Sequence, residues 1–213
     1  MITFTVLGIL AFALAAVLWA MFRAPAVPQP VPAANAPAAS AEDVDPWDAH
    51  KSDVISINGA AEDFSDVDFP IDRRSAYESG NRRWVDLSGE FRGRRVYLEV
   101  YRFPQRDLIG MVDGRKLTLV DVNLTEEQVA DFDNRQDQTA FIEYENKHRY
   151  YDSSREMGYQ ENEAGEAEGL YRWLFQEKDG LRMICIEKWE GEPFDVRIAQ
   201  RFHANDITVY RAA

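Results

Sequence analysis

The chain has 213 residues, of which 37 are acidic and 24 are basic, so its formal net charge is -13. A charge of this sign repels nucleic acid and anionic lipid, which argues against a protein that binds DNA or RNA through its overall field. The single cysteine, Cys185, excludes an internal disulfide and fits a reducing compartment.

The amino terminus predicts a membrane anchor. Residues 2–22 carry no charged side chain and would reach about 31 Å as a helix, which matches the roughly 30 Å core of a bilayer. A cleaved signal peptide is the alternative, because small residues such as Ala13 and Ala15 resemble a cleavage site. No basic residue precedes the apolar run, and a signal peptide has a shorter apolar core of about 7–15 residues. We therefore predict a retained transmembrane helix over residues 1–23.

Orientation and spacing follow from the next residues. Arg23 follows the apolar run, so the positive-inside tendency predicts a single-pass protein of the inner membrane with its soluble domain in the cytoplasm. An extracytoplasmic domain is the alternative, since one arginine decides the orientation. Residues 24–46 are rich in proline and alanine, which predicts a semi-rigid linker. Residues 47–213 then form the soluble domain.

A faint internal repeat is the main signal in the soluble part. Each copy has an Arg-Trp pair, a turn and a strand with a central glutamate, and the two tryptophans are about 89 positions apart. The residues that define the repeat are Arg83, Trp84 and Glu99 in the first copy and Arg172, Trp173 and Glu187 in the second. We place the copies at about residues 52–123 and 139–211.

The soluble part is predicted to be mainly β. Val96, Leu98 and Val100 alternate with more polar residues, as in a half-buried strand. Asp113-Gly114, Asn146-Lys147 and Asp179-Gly180 are typical of hairpin turns. The predicted strands cover residues 96–100, 108–112, 117–122, 141–144, 149–151, 170–176, 181–189, 194–202 and 207–210. Thr125 and Gln128 form a capping box, which predicts a two-turn helix over residues 126–133 that connects the copies.

These elements predict two antiparallel β-meander units that pack together through their apolar faces, with one short connecting helix and a preceding transmembrane helix. Trp84 and Trp173 are then core anchors at matching positions. Glu99 and Glu187 lie between apolar neighbours, where a carboxylate needs solvent or a partner. Arg83 and Arg172 are the expected partners, giving one structural ion pair in each copy. A site at the seam between the copies is the functional alternative for these four residues.

Other candidate sites are few. Arg92, Arg94 and Arg95 concentrate positive charge, which predicts either solvated turns paired with nearby acids or contact with an anion or a lipid headgroup. The three histidines lack metal-ligand spacing, and the serines lack a nucleophile elbow. Cys185 lies in an apolar strand, which favours a buried thiol over a nucleophile. We predict no metal, no cofactor and no catalytic residue.

Two sets of residues carry a likeness to a known family, and they are Gly169–Leu174, Asp179–Leu181 and Ile186–Trp189 in the second copy, and Gly80, Trp84, Gly89 and Tyr97–Glu99 in the first. Through them the second copy resembles the bacterial domain of unknown function family 4178, and the first copy is similar but looser. The likeness spans about residues 52–211. It implies a membrane-associated accessory role, because members accompany genes for small membrane proteins and polyamine-synthase-like enzymes. It brings no active site or ligand.

The predicted function is therefore a membrane-anchored accessory, binding or scaffold protein that is not an enzyme. Its expected partners are the membrane, through the amino-terminal helix, and another protein. The alternative is an enzyme or small-ligand-binding protein with its site at the seam between the two repeats.

Overall fold

The computed structural model describes residues 44–178 and 180–212. These residues form twelve β-strands and one α-helix. The strands are β1 Val54–Ile57, β2 Val67–Pro70, β3 Arg73–Ser79, β4 Arg82–Phe91, β5 Arg94–Tyr101, β6 Asp107–Met111, β7 Phe141–Tyr144, β8 Lys147–Gln160, β9 Glu168–Gln176, β10 Arg182–Trp189, β11 Phe194–Arg201 and β12 Ile207–Tyr210. The helix α1, Glu126–Arg135, lies between β6 and β7.

Eight of the strands close into one antiparallel barrel. The strand order is β3-β4-β5-β6-β11-β10-β9-β8, and a further pairing of β3 with β8 closes the ring. Two meanders therefore make the barrel, β3 to β6 and β8 to β11. They meet at two seams, where Tyr77 of β3 lies opposite Tyr159 of β8 and Gly110 of β6 lies opposite Gln200 of β11. β7 adds to the free part of the long strand β8.

The prediction of two meander units packed through their apolar faces is wrong. The meanders join edge to edge, and the apolar face of β5, formed by Val96, Leu98 and Val100, turns away from the second meander. That face packs instead on a separate sheet of three strands in the order β12-β1-β2. A barrel strand whose outer side is covered has two buried faces, so its apolar face need not point to the interior.

The three-stranded sheet covers the outside of the first meander. Ile55, Phe69 and Val209 pack with Leu87 and Leu98 in one fully buried cluster. Gly89 of β4 permits the close approach, because a Cβ atom there would lie 2.2 Å from the carbonyl oxygen of Pro70 and 2.8 Å from Cδ2 of Phe69. The packing of the small sheet on the barrel therefore depends on the missing side chain at Gly89.

Replacing Gly89 by alanine is expected to lower the free energy of unfolding by about 1–3 kcal/mol, because the backbone of β2 has to move away from β4. Urea unfolding of the variant measures the loss. Gly169→Ala is the matched control, since a Cβ atom there has no neighbour within 4 Å. An equal loss in both variants would contradict the role given to Gly89.

The helix α1 covers the outside of the second meander. Val129 and Phe132 of α1 pack with Trp173, Phe175 and Ile184 in a second buried cluster. The predicted helix is confirmed, and Thr125 and Gln128 form the expected capping box. The helix connects the two meanders along the chain.

Among the hairpins, the one predicted after Asp113-Gly114 is wrong. Residues 117–122 form only one bridge, between Leu117 and Val196, and a 3-10 turn over Val120–Val122. The reason is that β6 already pairs with β5 on one edge and β11 on the other. The hairpins of β7 with β8 and of β9 with β10 are confirmed.

The predicted anchor over residues 1–23 lies outside the described residues, and so does the linker up to residue 43. Val44 and Pro46, which we assigned to the linker, pack on the domain. Within residues 44–178 and 180–212, no helix has the length and apolar character needed to span a bilayer.

Candidate functional site

The interior of the barrel carries charged side chains. Residues alternate along each strand, so the side chains that do not contact the outer clusters point inward. Four of the inward side chains carry a carboxyl or guanidinium group and are almost fully buried. They are Asp86 of β4, Glu99 of β5, Arg172 of β9 and Glu187 of β10. Burial of this kind is costly unless each charge has a partner.

Arg172 lies between Glu99 and Glu187 and bridges the two meanders. Its Nε donates to Glu187 Oε1 over 2.9 Å, and its Nη1 donates to Glu99 Oε2 over 3.0 Å. Its Nη2 contacts both carboxylates, at 2.7 Å from Glu99 Oε1. The guanidinium carbon stands 4.7 Å from the centre of the Tyr77 ring, and Tyr101 donates its hydroxyl to Glu99 over 2.6 Å. Arg172 is therefore held from three sides.

The pKa values reflect this pairing. Burial by itself would lower the pKa of Arg172, but the charges of Glu99 and Glu187 outweigh it and raise the pKa well above its usual value. Burial would likewise raise the pKa of Glu187, yet Arg172 and Arg197 hold that pKa below its usual range. Arg172 and Glu187 are thus both ionised inside the barrel. The pKa of the Cys185 thiol is raised by burial, so it stays protonated there.

Asp86 is the exception within the cluster. Burial raises its pKa to about 7, and the negative charge of Glu99 adds to the shift, whereas Arg197, Arg73 and Arg172 oppose it only in part. Asp86 stands directly opposite Glu99 in the pairing of β4 with β5. It is therefore a buried carboxyl group that changes charge near neutral pH.

The predicted pairing of Arg83 with Glu99 is wrong. Arg83 points outward, its side chain is 50% exposed, and its Nη2 lies 3.7 Å from Glu163. Arg172 lies beside Glu187, directly opposite it in the strand register. The same position in the first meander, opposite Glu99, belongs to Asp86. The structural repeat is therefore shifted by three residues from the sequence repeat.

The shift also corrects the prediction that Trp84 and Trp173 occupy matching positions. An odd shift exchanges the two faces of a strand. Trp84 accordingly points into the barrel, where it stacks between Tyr77 and Tyr101. The distances between the ring centroids are 5.6 Å to Tyr77 and 5.0 Å to Tyr101. Trp173 points outward and packs in the cluster beneath α1. Both are core residues, but they occupy different cores.

A cavity opens at one end of the barrel and reaches the face of Arg172. We call it the mouth, and its volume is about 170 Å³. Apolar side chains from both meanders line it, with Phe103 at the solvent-exposed rim. The apolar lining consists of Trp84, Ile109, Met157, Leu174, Phe103 and Pro104. Asp86, Glu99 and Glu187 do not line it.

The mouth is rich in positive charge. Four arginines and two aspartates line it, and they are Arg82, Arg155, Arg172, Arg201, Asp107 and Asp152. Arg201 is paired, since its Nε lies 2.9 Å from Asp107 Oδ1. Arg155 donates to the Ser153 hydroxyl over 2.9 Å, and within the described residues neither Arg155 nor Arg82 has a carboxylate within 4.0 Å. The mouth thus differs in sign from the chain as a whole.

The three arginines predicted as an anion contact do not all line one site. Arg92 pairs with Asp63 at 3.0 Å, and Arg95 lies 2.6 Å from Asp72 Oδ2. Arg94 donates to the backbone carbonyl of Asp113 over 3.2 Å. Arg92 and Arg94 line a groove of about 710 Å³, whereas Arg95 lines a small cavity of about 100 Å³ at the end of the barrel opposite the mouth.

Sequence reasoning missed three charged residues that point into the barrel or line its mouth. Asp86 and Arg197 each stand between apolar neighbours within a strand, which is the same signal that singled out Glu99. Arg155 gave no signal, because its strand alternates poorly and its importance comes from its position opposite Arg172. Within the part of the chain that the structure describes, no three His, Cys, Asp or Glu side chains are grouped so as to hold a metal ion.

Comparison of the chain with protein-family models, curated proteins and solved structures found no match. The resemblance to the domain of unknown function family 4178 therefore stays a prediction that rests on the quoted residues alone.

Proposed function

We propose that the protein is a membrane-anchored binding protein whose barrel holds a small molecule in the mouth. The observation that carries the proposal is a cavity that enters the end of a closed barrel and reaches Arg172. An eight-stranded barrel has an interior just wide enough for side chains or for one small ligand. In this barrel the side chains fill the middle, and the mouth leaves a space of about 170 Å³ at one end.

A binding role is favoured over a catalytic one by the position of the carboxylates. The buried acidic groups of the barrel interior are Asp86, Glu99 and Glu187, and they stand behind Arg172 rather than on the cavity wall. Two other carboxylates do line the mouth, but Asp107 pairs with Arg201 and Asp152 is exposed to solvent. A general acid or base has to reach the proton that it transfers. The cluster instead fixes Arg172, which forms part of the lining of the mouth.

The membrane anchor remains part of the proposal on the strength of residues 1–23. Their apolar composition and length match a bilayer, and Arg23 favours a cytoplasmic barrel. The proline-rich residues 24–43 would then hold the barrel away from the membrane surface. A second protein that responds to the occupied barrel would be the accessory partner.

Thermal unfolding of the full chain in detergent, in the presence of anionic, neutral and cationic small molecules, tests the binding role. We expect a ligand at about 100 times its Kd to add about 2.7 kcal/mol of stability. For a domain of this size that gain corresponds to a rise in Tm of roughly 5–11 °C.

Leu174→Trp is the variant that should abolish the rise, because it fills the mouth with an aromatic ring. Val120→Trp is its matched control, since Val120 is 79% exposed and lies outside the mouth. An equal rise in Tm in the Leu174 variant would place the ligand elsewhere, and the absence of any rise across the panel would overturn the proposal.

A further inference from the structure

We infer that the mouth binds a small organic carboxylate, with the carboxylate on Arg155 and an apolar body against Trp84, Met157 and Leu174. This inference rests on the proposed binding function and adds the chemical class of the ligand.

The first argument is that, of two facing arginines, Arg172 has carboxylate partners and Arg155 has none among the described residues. Arg155 of β8 stands directly opposite Arg172 of β9. Like charges in this position repel each other across the two strands. Two carboxylates, Glu99 and Glu187, compensate Arg172, while Arg155 is half-buried and donates only to the Ser153 hydroxyl among the described residues. An anion in the mouth would supply the charge that Arg155 lacks.

The second argument is the supply of donors. Arg82, at the start of β4, lines the same cavity and is likewise without a carboxylate within 4.0 Å among the described residues. Guanidinium groups have donors only and match a carboxylate in a planar, bidentate way. A ligand that binds to these two arginines therefore has to bring acceptor oxygens. The net charge of -13 does not prevent this, because a charge in a low-dielectric cavity is governed by its nearest groups.

The third argument is the apolar character and the small volume of the rest of the cavity. Trp84, Ile109, Met157 and Leu174 present an apolar surface next to the arginines. The cavity of about 170 Å³ is smaller than the roughly 300–1,000 Å³ of pockets that hold drug-sized ligands. Both features favour a compact molecule with one charged end and a short apolar body. A phosphate ion would leave the apolar wall without a partner and would lose more hydration.

Titration calorimetry of the full chain in lipid nanodiscs, against empty nanodiscs as a blank, tests this class. The probes are benzoate and butyrate, their uncharged amides benzamide and butyramide, and inorganic phosphate. We expect each carboxylate to bind at least about tenfold more tightly than its amide, because the charge-assisted bonds to arginine are lost in the amide. Phosphate is expected to bind more weakly than benzoate.

Arg155→Met supplies the residue-level test, since it removes the charge and keeps most of the side-chain volume. We expect it to lower benzoate affinity about tenfold and to leave benzamide affinity unchanged. Arg135→Met is the matched control, because Arg135 lies on α1 and pairs with Asp131 on the outer surface. The control should bind benzoate as the unaltered chain does.

The outcomes separate this inference from the proposed function. If the amides bind as tightly as the carboxylates and Leu174→Trp abolishes both, the mouth binds small molecules but the carboxylate class is wrong. The class is also wrong if phosphate outcompetes benzoate or if Arg155→Met leaves benzoate affinity intact. If no probe binds and no panel compound raises Tm, both the class and the binding function are overturned.

Discussion

Replacing Arg172 by methionine is expected to lower the free energy of unfolding by about 3–5 kcal/mol, because the change leaves Glu99 and Glu187 buried without their shared cation. Methionine keeps the length of the side chain, so lost packing is a small part of the effect. Domains of this kind have a total stability of about 5–15 kcal/mol, so the variant is expected to lose a large fraction of it. Urea unfolding monitored by tryptophan fluorescence measures the loss.

Two further variants separate the charge effect from a general sensitivity to arginine loss. Arg83→Met is expected to change stability by no more than about 0.5 kcal/mol, since Arg83 is on the outer surface. Adding Glu99→Gln and Glu187→Gln to Arg172→Met is expected to recover most of the loss, because no unpaired charge then remains. A similar loss at Arg83 and Arg172, or no recovery in the triple variant, would show that the cluster does not stabilise the barrel in this way.

The local elements were predictable because their signals are local. The capping box of Thr125 with Gln128 predicts α1 without knowledge of the rest of the chain. The alternation around Leu98 predicts a strand in the same way. The closure of the barrel was not predictable, since the pairings of β3 with β8 and of β6 with β11 join residues that are far apart in sequence.

The repeat shows what a likeness in sequence leaves open. The Arg-Trp pairs align Trp84 with Trp173, but strand pairing sets Asp86, not Arg83, in the place of Arg172. Register is a property of two strands together, and a single strand does not reveal it. The polar face of β5 was likewise assigned to solvent or to a single partner, whereas Glu99 lies in a shared charged interior.

The site itself was predictable only in part. Glu99, Glu187 and Arg172 were singled out as charged residues in or beside apolar strands, and they meet inside the barrel. The mouth depends on Arg155 and Leu174, which come from different strands and carry no pattern of their own. A cavity at the end of a barrel is a consequence of closure, so it stays hidden until the closure is known.

The second large effect is expected from Asp86, whose contribution to the stability of the fold depends on pH. Its pKa is about 7 in the folded chain and about 4 in the unfolded one, so the folded state holds the proton more tightly. The stability that the protonated group contributes is fully present below about pH 4 and is lost as the pH rises through about 7. The difference between the two pKa values corresponds to about 4 kcal/mol.

Asp86→Asn removes this titration and keeps the shape of the side chain. We expect the free energy of unfolding of the variant to differ from that of the unaltered protein by a constant offset near pH 4. Relative to that offset, the variant should become more stable by up to about 4 kcal/mol above pH 7. Urea unfolding at intervals between about pH 4 and pH 8.5 gives the difference at each pH. A difference that stays constant across this range would mean that Asp86 does not titrate near neutral pH.

Asp53→Asn provides a control of opposite sign. Asp53 is also almost fully buried, but its pKa is lowered, because hydrogen bonds from the backbone of His50 and Ala212 and from Arg211 outweigh the effect of burial. Its contribution to stability is present above about pH 4 and is lost as the pH falls through the lowered pKa. Asp53→Asn is therefore expected to be less stable than the unaltered protein at neutral pH, with the deficit shrinking in acid. Among the described residues, Asp86 is buried without a hydrogen-bond donor, whereas Asp53 is buried with three, and opposite slopes for the two asparagine variants would follow from this difference.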